Sequence, residues 1–286
     1  METRLNIAVQ KSGRLLDDSL RILKECGIRV DNGKDQLKAR ARNFPANLLY
    51  LRNSDIPKYV EDGVADIGII GQNTVFEKQK NLKEVLPLGF SRCRLSIAVP
   101  KGTNYSGPAF LNGKKIATSY PNSLQHYLTQ NNLQAEIHEI SGSVEIAPNI
   151  GLADAICDLV STGSTLFKNG LEEKEVMLKS EACIYASPVI KPEAQAILDQ
   201  VVFRIKSVLE ARRNKYLLMN APNEKVEAIT QILPGMKSPT VMPLAASGWS
   251  SIHTVINEDR FWEIIDALKA HGAQGILIVP IEKMII

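Results

Sequence analysis

Three apolar, strand-like segments alternate with helical patterns near the start of the chain. Leu5–Gln10, Ala46–Arg52 and Ala65–Gly71 have the composition of buried strands. Asp17–Cys26 has helical spacing between the first two, and a second helix begins near Ser54. Parallel strands require such crossover connections, and the helices then cover the faces of the sheet. This alternation predicts an α/β fold with a parallel sheet.

A second unit of the same kind follows and predicts a two-lobe core. Its strands are predicted at Cys93–Pro100, Lys115–Ser119, Ala135–Ile140, Ile156–Val160 and Ala182–Ser187. We assign residues 1–92 to a first lobe and residues 93–187 to a second, with a long helix within residues 188–219 completing the first. Two such lobes imply a cleft, where the loops QKSGR, IIGQN, ATSYP, SGSVE and STGST would gather at the carboxyl ends of strands.

Residues 220–286 have a different pattern. Strand-like and helical segments follow in the order βαββαβ, which predicts a small ferredoxin-like (ACT-like) module, its first strand beginning near Lys215. The module carries no acid/base pair, metal-spaced cluster or glycine-rich phosphate loop. A dimerisation domain and a small-molecule sensor are therefore both open from the pattern.

Composition and charge exclude several classes of function. The 286 residues include 34 Lys and Arg against 31 Asp and Glu, so no strongly basic balance indicates nucleic acid or an anionic membrane surface. Charged residues interrupt the N-terminus, and no run approaches the roughly 20 apolar residues of a membrane span. We expect a cytoplasmic protein. The four cysteines are far apart in the sequence, which indicates small buried hydrophobes rather than disulfides or a zinc site.

The sequence offers no nucleophilic or metal-hydrolase motif. The four histidines, at positions 126, 138, 253 and 271, lie in helical or strand patterns away from any serine or cysteine elbow. No HExxH, CxxC or Walker sequence occurs. Catalysis by a covalent nucleophile is therefore not predicted.

Five small residues in a row indicate an anion site. They follow a buried strand and precede a short helix: Ser161, Thr162, Gly163, Ser164 and Thr165. Clustered N–H groups and hydroxyls at such a point suit a phosphate, although an exposed serine/threonine loop is the alternative. In the first lobe, Lys11 and Arg14 flank Gly13 on a strand-to-helix turn and are the better candidates among several basic residues.

The residues around this loop resemble a known family. Residues 145–166, read as E-IAPNI-G-L-A-DA-I-C-D-L-VS-T-G-S-T-L, are similar to the signature of the ATP phosphoribosyltransferases, which open histidine biosynthesis. QKSGRL, DGVADIGIIG, KIATSYP and ILIVPIEKM resemble the long form of that family, so the resemblance covers essentially the whole chain. It implies a periplasmic-binding-protein-like catalytic core with a C-terminal regulatory domain.

The resemblance also implies roles for residues. Ser161–Thr165 would cradle the 5′-phosphate of phosphoribosyl diphosphate, and Asp154 and Asp158 would bind ribose hydroxyls or a nearby Mg²⁺. Lys11, Gly13, Arg14 and Asp66 would bind ATP, with Lys11 and Arg14 as the catalytic residues. Mg²⁺ is expected to arrive with the phosphates, without a dedicated protein metal site. Histidine would bind the regulatory domain at Asn220 and Thr240, in a homo-oligomer between dimer and hexamer.

One position departs from the family pattern. Gln36 stands where members often have arginine, and Lys38 or Arg40 would substitute for it. The predicted reaction is glycosyl transfer, in which N1 of ATP attacks C1 of phosphoribosyl diphosphate and diphosphate leaves. The competing hypothesis is a non-catalytic two-lobe binding protein with an amino-acid sensor attached. Time-dependent adduct absorbance with both substrates and Mg²⁺ would separate the two.

Overall fold

In the computed structural model, which describes residues 3–31, 37–233 and 238–286, the strands form three sheets. The chain divides into one unit of residues up to Lys24 and Ile28–Leu198, and a second unit of Glu25–Gly27 and Asp199–Ile286. The first unit contains two of the sheets and the second unit contains the third.

The strands and helices of the first unit alternate along the chain. The strands are β1 (Leu5–Gln10), β2 (Lys38–Arg40), β3 (Ala46–Leu51), β4 (Ile67–Gly71), β5 (Lys83–Pro87), β6 (Cys93–Pro100), β7 (Lys115–Thr118), β8 (Glu136–Glu139), β9 (Ala155–Val160), β10 (Leu171–Ser180) and β11 (Ala182–Ala186). The helices are α1 (Arg14–Glu25), α2 (Ile56–Glu61), α3 (Gln72–Glu77), α4 (Pro121–Gln130), α5 (Ser164–Lys168) and α6 (Pro192–Arg213), of which α6 continues into the second unit.

The first sheet has the strand order β2-β3-β1-β4-β11-β5. Only its centre is parallel: β3, β1 and β4 run together, while β2 pairs antiparallel with β3 and β11 pairs antiparallel with β4 and β5. The parallel sheet predicted from these three strands is therefore confirmed, and the antiparallel strands β2 and β11 flank it. The parallel core follows from its fully buried strands, since Ile7, Leu48 and Ile67 are each 0% exposed.

The second sheet has the order β10-β6-β9-β7-β8. Strands β9, β7 and β8 are parallel, and β6 pairs antiparallel with both β9 and β10. Alternation along β6 separates two cores, because Leu95, Ile97 and Val99 pack on one face and Ala98 on the other. The segment Ser161–Thr165 directly follows β9 of this sheet.

Strand β11 corrects the predicted division of the lobes. Ala182–Ala186 was assigned to the second lobe, but the strand returns to the first sheet between β4 and β5. All five of its residues are buried, which its uninterrupted apolar sequence predicts without indicating which sheet it joins. The chain therefore crosses between the lobes immediately after Ser180.

The second unit contains the predicted βαββαβ module. Its elements are β12 (Asn214–Pro222), α7 (Val226–Ile232), β13 (Thr240–Pro243), β14 (Trp249–Asn257), α8 (Glu258–Ala270) and β15 (Gln274–Pro280). They form an antiparallel sheet in the order β13-β14-β12-β15, as expected of a ferredoxin-like module. Leu217, Met219 and Ile252 pack with Phe261 and Leu268 in its core. The unit begins at Asp199, earlier than the predicted boundary at residue 220.

The cysteines behave as small apolar residues. Cys26, Cys93, Cys157 and Cys183 are all free thiols. Burial raises the pKa of Cys26, Cys157 and Cys183 to about 12, which keeps these thiols protonated near neutral pH. Separately, none of the helices described is both long and apolar enough to cross a bilayer.

Candidate active site

The segment Ser161–Thr165 forms a loop with open hydrogen-bond donors. It leaves the carboxyl end of β9, and Gly163 adopts φ +80° directly before α5. The Thr162 hydroxyl donates to the Ser164 hydroxyl at 3.1 Å and accepts from the Ser164 N–H at 3.4 Å. Within the part of the chain that the structure describes, no hydrogen bond engages the N–H groups of Thr162 and Gly163. The loop therefore presents backbone and hydroxyl donors together, as an anion requires.

The Lys11–Arg14 turn stands at the carboxyl end of β1. The Lys11 N–H donates to the Leu51 carbonyl at 2.8 Å, which fixes the start of the turn. Gly13 adopts φ +89°, a conformation that favours glycine, and Arg14 is the first residue of α1. The side chains of Lys11 and Arg14 are exposed, and neither has an ion pair or hydrogen bond within the described ranges. Both cations are available to an anionic ligand.

The five loops predicted to gather at strand ends do so in two sets. QKSGR and IIGQN follow β1 and β4, which are parallel neighbours. ATSYP, SGSVE and STGST follow β7, β8 and β9, which are also parallel. The two sets meet: Gln72, from the first, and Ser161, from the second, line one cavity of about 380 Å³.

A buried carboxylate joins the two lobes. Glu77, at the end of α3, is 6% exposed. It accepts hydrogen bonds from the N–H groups of Asn122 and Ser123 at 3.0 and 2.8 Å and from the Ser123 hydroxyl at 2.6 Å. Glu77 thereby satisfies the open N–H groups of the first turn of α4, directly after the ATSYP loop. Sequence reasoning missed this contact because its partners lie 45 residues apart in the chain.

Asp66 does not lie with Lys11 and Arg14. It precedes β4, so it stands at the amino end of the parallel strands, whereas the basic turn follows their carboxyl ends. One oxygen of its carboxylate accepts the Asn6 N–H at 2.7 Å. The assignment of Asp66 to ATP binding is therefore corrected: its position and its hydrogen bond indicate a structural role in joining β1 to β4.

The assignment of Asp154 to phosphoribosyl diphosphate binding is also corrected, because Asp154 stands at the opposite end of its strand from the loop. It precedes β9, whereas Ser161–Thr165 follows that strand, and about 20 Å of extended chain separates the two ends. Its carboxylate accepts the Lys115 N–H at 2.9 Å and lies 3.9 Å from the Lys114 ammonium. Asp154 therefore ties β9 to β7 at the edge away from the loop.

Asp158 is the predicted acid that remains near the loop. It lies in β9, three residues before Ser161, and is half-buried. Burial raises the pKa of its carboxyl and the charge of Glu145 raises it further, against the lowering effect of the hydrogen bond from the Leu159 N–H. Because its charged form is poorly solvated, a cation or hydroxyl donor from a ligand would stabilise it. Burial raises the pKa of the Tyr120 phenol, and the charge of Asp158 raises it further.

The basic residues beyond β1 divide between two ends of the sheet. Lys38 pairs with Leu49, toward the carboxyl end of β3, whereas Arg40 pairs with Asn47 at the opposite end. Arg40 lines a cavity with Arg4 and Arg42 at that far end, so position favours Lys38 as the substitute. Gln36, at which the substitution was inferred, lies outside the described residues.

The two predicted effector contacts lie on one face of the third sheet. Asn220 of β12 pairs with Ser251, and Thr240 of β13 pairs with His253, two residues further along β14. Paired residues of antiparallel strands point to the same face of a sheet. Ser251 and His253 are two residues apart in β14, so Asn220 and Thr240 lie on the same face, on either side of β14. His253 accepts or donates hydrogen bonds at both ring nitrogens, 2.9 Å from the Tyr216 hydroxyl and 3.0 Å from the Ser251 hydroxyl.

Comparison with known proteins shows what this site belongs to. Residues 52–207 match the family described as ATP phosphoribosyltransferase, and residues 211–283 match the description "HisG, C-terminal domain". The chain is 56% identical over 285 residues to the ATP phosphoribosyltransferase of Cytophaga hutchinsonii, with 100% of both chains covered. It is 53% identical over 282 residues to that of Bacteroides fragilis, with 99% of this chain and 100% of the relative covered.

Solved structures agree with the fold. One is a chain of the ATP phosphoribosyl transferase (HisG:HisZ) complex from Thermotoga maritima, at TM-score 0.61 and 28% identity, with 71% of this chain and 98% of that chain covered. A periplasmic sulfonate-binding protein from Methylobacillus flagellatus matches at TM-score 0.51 and 16% identity, over 80% of this chain and 72% of its own. The second likeness bears on the fold alone.

A periplasmic-binding-protein-like core with a ferredoxin-like C-terminal module is thus the class of protein that the fold defines. The chain belongs to the ATP phosphoribosyltransferase family, in its long form. It is a transferase that takes ATP and phosphoribosyl diphosphate as substrates, releases diphosphate and carries out the first step of histidine biosynthesis. The non-catalytic binding protein is not favoured.

Proposed function

We propose that the loop Ser161–Thr165 binds the 5′-phosphate of phosphoribosyl diphosphate and that the Lys11–Arg14 turn binds ATP and the departing diphosphate. This division is supported by the donors that the loop presents after β9 and by the exposed side chains of Lys11 and Arg14 after β1, which have no partner among the residues that the structure describes. The donors of the loop, which suit a single phosphate, and the exposed cations, which suit an extended polyphosphate, then stand on different lobes. ATP and phosphoribosyl diphosphate would approach each other across the cleft.

The mechanism requires alignment and charge stabilisation rather than a strong base. N1 of adenine attacks C1 of the ribose while the bond from C1 to the diphosphate oxygen breaks, through an oxocarbenium-like state. The loop would hold the ribose phosphate still, so that C1 faces N1. Lys11 and Arg14 would stabilise the negative charge that diphosphate gains. Asp158, whose charged form is poorly solvated, would accept hydrogen bonds from ribose hydroxyls.

Magnesium fits this arrangement as a partner of the phosphates. Within residues 3–31, 37–233 and 238–286, no group of three or more His, Cys, Asp or Glu side chains is placed to hold a metal ion. Mg²⁺ commonly keeps waters and phosphate oxygens as ligands and takes only one or two carboxylates. We propose that Mg²⁺ would bind together with the substrate phosphates, where it would supply charge neutralisation, and that Asp158 is the carboxylate that would help to hold it. Because both substrates are phosphorylated metabolites of the cell interior, we also propose a cytoplasmic location.

Replacing Gly163 tests the loop assignment. Alanine at φ +80° is strained by about 1–2 kcal/mol although nothing lies within 4 Å of its Cβ, so the loop should shift and redirect its N–H groups. We expect Gly163→Ala to raise the KM for phosphoribosyl diphosphate about tenfold, the loss of one hydrogen bond to a charged group, while the KM for ATP stays unchanged. The rate of increase in adduct absorbance, measured at varied concentrations of each substrate in turn, gives both KM values.

Gly170→Ala is the matched control. Gly170 ends the segment after the same helix, has φ +67° and has nothing within 4 Å of a Cβ, so it should share the backbone strain. Its unfolding midpoint should fall as much as that of Gly163→Ala, but both KM values should stay at the wild-type level. Equal donor KM values in the two variants would contradict the loop assignment.

We propose that the C-terminal module senses histidine and that histidine acts through a homo-oligomer between dimer and hexamer. Its βαββαβ fold is a separate unit from the core that carries both proposed substrate sites, and Asn220 and Thr240 lie on one face of its sheet. Histidine would weaken substrate binding at a distance, so substrates would weaken histidine binding equally. The alternative is a purely structural dimerisation module.

Thr240→Val should weaken histidine inhibition about tenfold, because it removes a hydroxyl that would bond a charged ligand, and should leave kcat unchanged. Thr230→Val is the control, since that hydroxyl donates within α7 to Glu227 on the other side of the sheet. Inhibition curves for the three proteins measure the effect. Absence of inhibition of the unmodified protein at millimolar histidine would leave the structural alternative standing.

A further inference from the structure

The first carbonyl of the phosphate loop is held by an arginine from the neighbouring strand. Arg94 lies in β6, and its Nη1 donates to the Ser161 carbonyl at 3.1 Å. Its Nε and Nη2 donate to the two carboxylate oxygens of Glu173 in β10. The strand order β10-β6-β9 makes this possible, since β6 lies between the strand of Glu173 and the strand that ends at the loop. One planar guanidinium therefore spans three strands.

Glu173 is oriented in turn by a buried hydroxyl. The Ser96 hydroxyl, on a residue that is 1% exposed, donates to Glu173 Oε1 at 2.7 Å. The hydrogen bonds from Arg94 hold the pKa of Glu173 below its usual range, so the pair stays ionised. A bidentate pair of this kind fixes geometry as well as charge. Because its charges cancel, it adds little net attraction for a phosphate.

The rigidity of the peptide bond carries this constraint into the loop. The Ser161 carbonyl and the Thr162 N–H belong to one planar trans peptide, in which they point in opposite directions. A guanidinium bound to the carbonyl therefore sets the direction of the Thr162 N–H, which has no partner of its own in the described chain. A bond between a cation and a carbonyl also polarises the peptide and strengthens its N–H as a donor.

We propose that Arg94 and Glu173 are a positioning pair, which fixes the peptide between Ser161 and Thr162 so that its N–H is aimed at the donor phosphate before binding. The inference rests on the proposed role of Ser161–Thr165 in binding phosphoribosyl diphosphate. A different role, direct contact of Arg94 with the phosphate through its remaining N–H groups, makes the opposite prediction for the loss of Glu173.

Glu173→Gln separates the two roles. If the pair positions the loop, the variant should raise the KM for phosphoribosyl diphosphate about tenfold, with kcat and the KM for ATP near wild type, because binding is lost equally from ground and transition states. If Arg94 binds phosphate directly, releasing it from the carboxylate should leave the donor KM unchanged or lower it. Arg94→Lys should match Glu173→Gln, since one ammonium cannot serve both the carboxylate and the carbonyl.

Two further variants keep the test decisive. Glu172→Gln is the matched control: its carboxylate pairs with Lys174 at 2.8 Å on the same strand, and its donor KM should equal that of the wild type. If Glu173→Gln does not fold, Ser96→Ala removes only the hydroxyl that orients Glu173 and should raise the donor KM about threefold, the lower end of one hydrogen bond. An unchanged donor KM in Ser96→Ala, with Glu173→Gln unfolded, would overturn the proposal.

The failure of this inference is distinguishable from that of the loop assignment. A raised donor KM in Gly163→Ala, with wild-type values in Glu173→Gln and Arg94→Lys, overturns the positioning pair and leaves the loop as the phosphate site. A wild-type donor KM in Gly163→Ala overturns the loop assignment and the inference with it. Raised values in all three, together with a wild-type Glu172→Gln, support both.

Discussion

Arg14→Ala should lower kcat and kcat/KM together by about a hundredfold or more, the scale on which a group that stabilises developing charge acts. Diphosphate gains negative charge as its bond to C1 breaks, so a guanidinium beside it stabilises the transition state more than the bound substrates. The side chain is exposed at the start of α1, with no partner in the described chain that would compete for it. Steady-state rates of adduct formation under saturating and limiting substrate measure both constants.

Arg21→Ala is the control for this variant. Arg21 lies two turns further along the same helix, where its guanidinium is paired with Asp18, and its removal should leave kcat unchanged. Arg14→Lys should retain part of the rate, because it keeps the charge but not the planar fork. A rise in the KM for ATP alone in Arg14→Ala would show that the residue binds substrate without acting on the transition state.

Thr162→Ala should reduce use of phosphoribosyl diphosphate by about ten- to a hundredfold, since a hydrogen bond to a charged group is worth roughly 1.5–3 kcal/mol. The hydroxyl bonds to Ser164 within the free loop, so its loss removes a donor and also loosens the turn. The KM for ATP should not change. Fold integrity is checked by the unfolding midpoint, which this exposed position should leave near the wild-type value.

Thr162→Ser and Thr162→Val separate hydroxyl from shape. Serine keeps the hydroxyl and should restore most of the donor affinity, whereas valine keeps the shape and should behave as alanine does. Thr165→Val should resemble Thr162→Val. Wild-type values of the donor KM and of kcat in Thr162→Ala and Thr165→Val would show that these hydroxyls do not bind the donor.

The sequence predicted the elements that are regular and buried. The strand Cys93–Pro100 has the predicted bounds, and the βαββαβ order of the C-terminal module is confirmed. Such elements are predicted from the periodicity of their hydrophobic residues and from the Gly or Pro residues that end them. The prediction missed β5 and β10, which are edge strands with register shifts against their neighbours. Charged residues also break the alternation of β10, as in LEEKEVMLKS, and a bulged edge strand need not keep a period of two.

The prediction of the site was wrong for two of its acidic residues, and their positions relative to the strands explain why. Asp66 and Asp154 directly precede strands, whereas the loops they were grouped with directly follow strands. In a parallel sheet the amino ends of the strands lie on one side and the carboxyl ends on the other. Both aspartates therefore lie at the amino ends, away from the loops with which they were grouped. Their carboxylates hold neighbouring N–H groups instead. The order of residue and strand in the sequence already contained this information.

Contacts that cross between strands and lobes could not be predicted from the sequence. Arg94 meets Glu173 from 79 residues away, and Glu77 meets Ser123 from 46 residues away. In a single sequence each is only a charged residue in or beside a regular element, where exposure to solvent is the ordinary expectation. The strand order of the second sheet and the crossing after Ser180 create these pairs.

A crystal structure with phosphoribosyl diphosphate bound would show which lobe holds the 5′-phosphate. We predict that the 5′-phosphate lies within hydrogen-bond distance of the Thr162 and Gly163 N–H groups and of the hydroxyls of the loop, with the diphosphate directed toward Lys11 and Arg14. A 5′-phosphate bound at Lys11 and Arg14, with Ser161–Thr165 contacting no part of the donor, would contradict the assignment of the two lobes.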